Sequence, residues 1–238
     1  MILAGVDDAG RGSVIGPLVI AGVALDESKI PKLQELGVKD SKMLAPARRK
    51  ILYRQIRKLA EKVVYKRIQP DAIDKVVLSG QKLFRLNYLE AKTMARVLLK
   101  LRYDLAFVDC CDTNQKRFGV QISDLMTRMK GIQIGLGEIN PFLEKLHSEH
   151  HADRNHLVVS AASIVAKVTR DACIERLSKT YGNIGSGYPS DPVTISYLQK
   201  SYETSSTFPP ITRESWLTIK RMRRENTVPE TGIDKIRP

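Results

Sequence analysis

Two adjacent carboxylates, Asp7 and Asp8, follow a short apolar run and are followed at once by Gly10-Arg11-Gly12. Carboxylates this close repel each other unless something positive lies between them. Magnesium or manganese would serve, because hard cations take oxygen ligands. Asp followed by Gly is also ordinary turn chemistry, since both residues tolerate the conformations that turns require. Arg11 favours the metal reading: between two glycines the backbone can press close to a ligand, and a guanidinium can meet a phosphate. Asp109 repeats the design, closing the apolar run Leu105-Ala-Phe-Val. Apolar strands that each end in an Asp are expected where neighbouring strands present ligands at one sheet rim.

Those carboxylates need strands beneath them. Ile2 to Val6 reads as a strand buried on both faces, ending before Asp7. Successive residues of a continuing strand point to opposite faces, so that ending is what would let Asp7 and Asp8 approach a common point. Val14 to Leu25 reads as a second strand, antiparallel to the first across the Gly-rich turn, and Val63 to Ile68 as a third. Helical spacing marks Ala45 to Lys62, Asp71 to Leu78 and Asn87 to Leu101. Lys116 to Leu146 reads as helix followed by an irregular connection, and Asp112 as a turn residue. Ser160 to Lys179 is the clearest helix, with Ser160 as its N-cap and Asp153 a few residues before it. Asp191 to Tyr202 and Ile211 to Arg224 read as helices, the latter carrying Trp216.

The chain of 238 residues is 42% apolar and 27% charged, ordinary for a globular protein with a sizeable core. Its net charge of +13 is not ordinary and points to a polyanionic partner such as nucleic acid. Asp7, Asp8 and Arg11 break any signal-peptide core, and no stretch approaches a membrane span, so a cytoplasmic protein with no membrane contact is expected. Cys110, Cys111 and Cys173 show no zinc spacing and read as structural thiols in a reducing compartment. The His150-His151 pair lacks the partners of a zinc motif. Lys39 and Lys42 flank a polar loop from which they could reach phosphates. Tyr188, set among glycines and before Pro189, is either a ring exposed to stack on a sugar or base, or a packed tyrosine.

Taken in order, several stretches resemble ribonuclease HII of archaeal type. They are Gly5-Val-Asp-Asp-Ala-Gly-Arg-Gly12, Gly16-Pro-Leu-Val-Ile-Ala-Gly22, Val38-Lys-Asp-Ser-Lys42, Phe107-Val-Asp109, Ala152-Asp153, Val158 to Asp171, Gly185-Ser-Gly-Tyr-Pro-Ser-Asp191 and Arg213-Glu-Ser-Trp216. The resemblance covers residues 1 to about 216. It implies an α/β, RNase H-like fold: a mixed five-stranded sheet flanked by helices, with a small helical C-terminal subdomain. We take 1–180 as the catalytic domain and 181–238 as the subdomain and tail.

The resemblance also implies an endonuclease for the RNA strand of RNA/DNA hybrids and for single ribonucleotides in duplex DNA, working in DNA replication and repair. It places the family's four acidic positions on Asp7, Asp8, Asp109 and Asp153, its junction-contacting Gly-Arg-Gly on Gly10, Arg11 and Gly12, and its junction-sensing tyrosine on Tyr188. The second acidic position is usually Glu; here Asp8 is shorter by one methylene, which bears on the choice between magnesium and manganese. Phosphodiester hydrolysis by two metal ions suits clustered carboxylates and needs no histidine base or serine nucleophile. Asp7 and Asp109 are assigned as central ligands, with Asp8 and Asp153 completing two sites, and the products carry 5′-phosphate and 3′-hydroxyl ends. Lys39, Lys42 and Lys167 are assigned to backbone phosphates, together with the basic run Lys220-Arg-Met-Arg-Arg224. A monomer is expected, and a sliding clamp is considered as a partner although Thr227 to Pro238 carries no clear clamp-binding motif. Two alternatives remain at this point: an RNase H-like DNA endonuclease with the same carboxylates, and a hybrid-binding protein without catalysis.

Overall fold

The computed structural model describes residues 1–38, 44–79, 86–135 and 137–225. Five strands form one mixed sheet: β1 (Ile2–Ala9), β2 (Leu18–Asp26), β3 (Lys62–Ile68), β4 (Leu105–Asp109) and β5 (Leu146–Glu149), in the order β3-β2-β1-β4-β5. β1, β2 and β3 pair antiparallel as a meander. β4 joins β1 in parallel, and β5 joins β4 in parallel. The helices are α1 (Ile30–Glu35), α2 (Pro46–Leu59), α3 (Pro70–Leu78), α4 (Leu86–Leu98), α5 (Gln115–Lys130), α6 (Ala152–Asn155), α7 (Leu157–Tyr181), α8 (Pro192–Ser205) and α9 (Leu217–Glu225). Among the described residues no helix is long and apolar enough to cross a membrane.

Strand alternation divides the core into two layers. Ala4 and Val6 of β1, with Leu18 and Ile20 of β2 and Ala106 and Val108 of β4, pack against Met94, Val97 and Leu98 of α4 and Phe118 and Ile122 of α5. The intervening residues, including Leu3, Ala9, Val19, Ala21 and Phe107, face α7 and α2. The first half of α7, Val158 to Ala166, is buried on every side, the mark of a helix enclosed by protein. Its approach to β1 is very close. A Cβ on Gly5 would lie 2.3 Å from the Val158 carbonyl carbon and 2.5 Å from the Val159 nitrogen, so only glycine lets the helix lie there.

A third cluster belongs to the C-terminal segment. Ile184, Leu198, Phe208, Ile211, Ile219 and Met222 pack with Ile174 of α7 and with Val14 and Ile15 from the loop between β1 and β2. This explains two departures from the sequence reading. β2 starts at Leu18 rather than Val14, because Val14 and Ile15 donate to the Gly187 carbonyl (2.8 and 3.1 Å) and Gly16 to that of Ile211 (2.8 Å). Residues 211–216 are not helical: Thr212 bridges Ile15, Arg213 N donates to Val14 O at 2.8 Å, and Glu214 N and Ser215 N donate to the Asp74 carboxylate. Their backbone groups are taken by tertiary partners, so α9 begins only at Leu217.

Candidate active site

β1 delivers the first acidic pair differently from the sequence expectation. The strand does not end before Asp7; it stays paired with β2 through Asp7↔Ala21, Asp8↔Ile20 and Ala9↔Val19. Asp7 and Asp8 therefore leave on opposite faces. Asp7 turns to the α7 side and is almost fully buried. Asp8, half-buried, turns to the α4 side.

Asp7 acquires its neighbours from the parallel register. Gly5 lies beside Phe107 and Val6 beside Val108, so Asp109 falls beside Asp7 one step beyond the last registered pair, on the same face. α6 brings Asp153. Asp109 Oδ1 accepts a hydrogen bond from Ala152 N at 2.8 Å, His151 turns the chain with a left-handed φ of 57°, and Asp153 follows, buried. Ser160 is not a helix cap, since α7 starts earlier with His156 as N-cap; its hydroxyl donates to the Asp153 carbonyl and ties α6 to α7. Burial, then the Asp109 charge, pushes the Asp7 carboxyl up to about 7, with Asp153 adding to the effect and hydrogen bonds from Ser163 and Asp8 N opposing it. Lys167 Nζ donates to Ser163 Oγ at 3.2 Å, which places a cation one hydroxyl away from Asp7.

On the other side of β1 lies a polar cluster in which Glu90, Asn87 and Arg117 join Arg11 and Asp112. Glu90 of α4 is wholly buried and takes Arg11 Nε at 3.0 and 3.2 Å, while Arg11 Nη2 donates to Asn87 Oδ1 at 2.7 Å. Asn87 donates in turn to Asp112 Oδ2 at 3.0 Å, and Arg117 pairs with Asp112 Oδ1. Asp112 is thus a turn residue, accepting from Asn114 N at 3.0 Å, and also the end of this chain of bonds. Burial raises the Asp8 carboxyl well above the usual range, Glu90 and Asp7 raise it further, and Arg11 opposes them. Asp109 adds a smaller upward push, although Asp8 leaves on the far face.

The Gly10–Gly12 loop is fastened from the C-terminal segment. Arg213, fully buried, donates through Nε and Nη2 to Gly16 O (3.0 and 2.9 Å) and through Nη1 to Arg11 O (2.9 Å). Burial, and next the nearby Arg170 charge, pull its pKa down to about 9. Tyr188 is half-buried, with Arg170 of α7 over its ring. Lys39 and Lys42 lie outside the described residues.

The donors at this corner fit a hard divalent cation: Asp7, Asp109 and Asp153 offer carboxylate oxygens, and Asp7 is raised first by burial and then by the Asp109 charge beside it. Among the described residues no three His, Cys, Asp or Glu are gathered tightly enough to hold one metal ion alone. A cation there would take one or two carboxylates and complete its shell with water and phosphate oxygens, as magnesium usually does. The His150-His151 pair contributes the left-handed entry to α6 rather than a ligand cluster. Cys110 and Cys173 are buried and Cys111 is half-buried, all three free.

Glu90 and Arg170 did carry a signal in the sequence, since each interrupts the apolar stripe of its helix with a charge. Glu90 is aligned with Met94, Val97 and Leu98, and Arg170 with Ser163, Ala166 and Ile174. Arg213, in an irregular segment, is marked by no helical spacing and only by its place in the Arg213-Glu-Ser-Trp216 stretch of the resemblance.

Comparison with known proteins fits this geometry. A family model described as ribonuclease HII matches residues 4–219. The ribonuclease HII of Thermococcus sibiricus is 44% identical over 227 residues, covering 94% of this chain and 92% of the relative. The crystal structure of the ribonuclease H2 from Pyrococcus horikoshii superposes with a TM-score of 0.79 at 37% identity, covering 94% of this chain and 98% of that one. A structure of the PCNA:RNase HII complex from Archaeoglobus fulgidus gives 0.76 at 35% identity, with 91% and 95% covered. The α/β mixed sheet of this chain is the RNase H-like fold, and the chain belongs to the ribonuclease HII family of ribonuclease H-type hydrolases.

Proposed function

We propose that this protein is an endonuclease for the RNA strand of RNA/DNA hybrids and for ribonucleotides embedded in duplex DNA, leaving 5′-phosphate and 3′-hydroxyl ends. The observation that carries the reading is the placement of Asp7 and Asp109 on one face of the parallel strands β1 and β4, one step past their last registered pair, with Asp153 beside them. In this reading Asp7 and Asp109 are central ligands to magnesium or manganese, and Asp8 and Asp153 complete two sites. Two such ions, when bound, supply a hydroxide nucleophile and offset charge on the phosphate and on the leaving 3′ oxygen. The protein's own groups orient the strand. Ser163 and Lys167 hold Asp7 in place. The Gly10–Gly12 backbone meets the 2′-hydroxyl, which is what separates RNA from DNA, and Tyr188 stacks on the neighbouring deoxyribose. Arg11, Lys39, Lys42 and Lys167 serve phosphates, in keeping with the net charge of +13.

We read the protein as a cytoplasmic monomer. The PCNA complex of the Archaeoglobus fulgidus relative supports a sliding clamp as a further partner. The test of the function is a pair of matched duplexes, one all DNA and one with a single ribonucleotide, incubated with magnesium or manganese. Cleavage only at the ribonucleotide is expected. Equal cleavage of both would turn the reading toward a DNA endonuclease, and binding without cleavage in either metal toward a binding protein.

A further inference from the structure

The two loops that this function assigns to substrate, Gly10–Gly12 and the turn carrying Tyr188, meet on one side chain. Arg170 of α7 is 3% exposed. Its guanidinium carbon lies 4.2 Å from the centroid of the Tyr188 ring, and Nη2 donates to the Ser186 carbonyl at 2.7 Å. Its Cδ and Nε both lie 2.7 Å from where a Cβ on Gly10 would stand, and Gly10 has a φ of +87°. The neighbouring acid does not account for this placement. Asp171 is 3.6 Å away and is shared with Arg49 at 3.2 Å. A guanidinium is costly to bury, yet this one faces a ring and a carbonyl rather than a strong carboxylate pair. A planar cation stacked on a ring and held at its edge by a carbonyl fixes the ring's tilt as well as its position.

We propose that Arg170 is a positioning residue for substrate selection, setting the Tyr188 ring at a fixed spacing from the Gly10–Gly12 loop. A ribonucleotide is thereby measured against the deoxyribonucleotide beside it. The inference rests on the function proposed above. Successive nucleotides advance by only about 3.4 Å along a duplex axis, so a ring displaced by a fraction of that meets its sugar wrongly. A purely structural role fits less well. The Tyr188 turn is already bonded to the Gly10–Gly12 side by Val14 N to Gly187 O at 2.8 Å, so loss of the Arg170 fork frees the ring without detaching the turn.

Arg170→Lys keeps the charge and the stem but loses the plane and the fork. The measurement is kcat and KM on a single-ribonucleotide duplex and on a continuous RNA/DNA hybrid. The ratio of kcat/KM between the two is expected to fall at least tenfold, as in Tyr188→Leu, and the double variant should be no worse than Tyr188→Leu alone. An unchanged ratio, an equal loss on both substrates, or single effects that simply multiply would overturn the proposal. Tyr188→Leu removes the half-buried ring with the arginine and the Gly187 backbone bonds in place. An unchanged ratio there overturns the proposal even if Arg170→Lys does not fold. A wild-type protein that cuts neither substrate would instead remove the function reading itself.

Discussion

Asp109 Oδ1 receives the backbone N–H of Ala152 at 2.8 Å, so the carboxylate at the tip of β4 also anchors the turn that presents Asp153. One residue thus does two things, and a substitution can separate them. Asp109→Asn keeps an oxygen for Ala152 N while removing the charge. Cleavage should fall on the order of 10³-fold or more, with duplex binding and melting temperature little changed. A variant that cuts normally would remove Asp109 from the chemistry.

Asp8 leaves β1 on the α4 side, where its short side chain shares space with Glu90 and Arg11. Asp8→Glu extends the carboxylate by one methylene. Magnesium demands tighter octahedral geometry than manganese-tolerant sites, so the ratio of activities in the two metals should change. A titration of activity against each metal, in wild type and variant, measures it, and superimposable profiles would refute the geometric argument.

Gly5 is where α7 touches β1. Gly5→Ala sets a methyl carbon 2.3 Å from backbone atoms of Val158, which cannot rotate away. Overpacking of this kind costs about 1–3 kcal/mol, a fall in melting temperature of roughly 3–10 °C for a chain of this size. Because Ser163 lies on the displaced helix, kcat should drop further than the stability loss explains. Thermal melts beside initial rates decide this, and a variant as stable as wild type would show that the helix approach is looser than described.

Asp112 gives a stability signature in acid. Burial alone would raise its carboxyl; bonds from Asn114 N, Asn87 and Arg117 overcome that and hold it at about 2. A carboxyl depressed below its unfolded value of 3.8 stabilises the fold above that value and loses the contribution as pH falls through about 2. Asp112→Asn should therefore cost at most about 2 kcal/mol at neutral pH, with the gap narrowing below pH 4. Denaturant melts of both proteins from pH 7 to 2 test it. A gap independent of pH would show that the charge of Asp112 does not contribute.

Much of this architecture could be read from the chain because it rests on local pattern. The apolar runs of β1 and β4, each followed by an Asp, marked the two strands whose parallel register brings Asp7 and Asp109 to one face, and the stripe of α7 marked the central helix. What escaped depends on long-range partners. β5 is four residues of Leu-His-Ser-Glu and is a strand only because β4 offers it a ladder. β1 runs through Asp7 and Asp8 because β2 continues to pair with it, and no local rule keeps two acidic residues in a strand. Asp153 reaches the site through a left-handed histidine and the bond to Asp109, neither of which sequence spacing encodes. Ile30–Glu35 is a short helix with Pro at its start that the apolar pattern was too brief to mark.

The fastening of the Gly10–Gly12 loop by Arg213 also orders events in time. The carbonyls of Gly16 and Arg11 take their bonds from a residue 197 and 202 positions later. On the ribosome, this loop is therefore left without those bonds until Arg213 has emerged. A nascent chain halted short of Arg213 lacks the one side chain that donates to both carbonyls, so the loop is finished only after that residue is made.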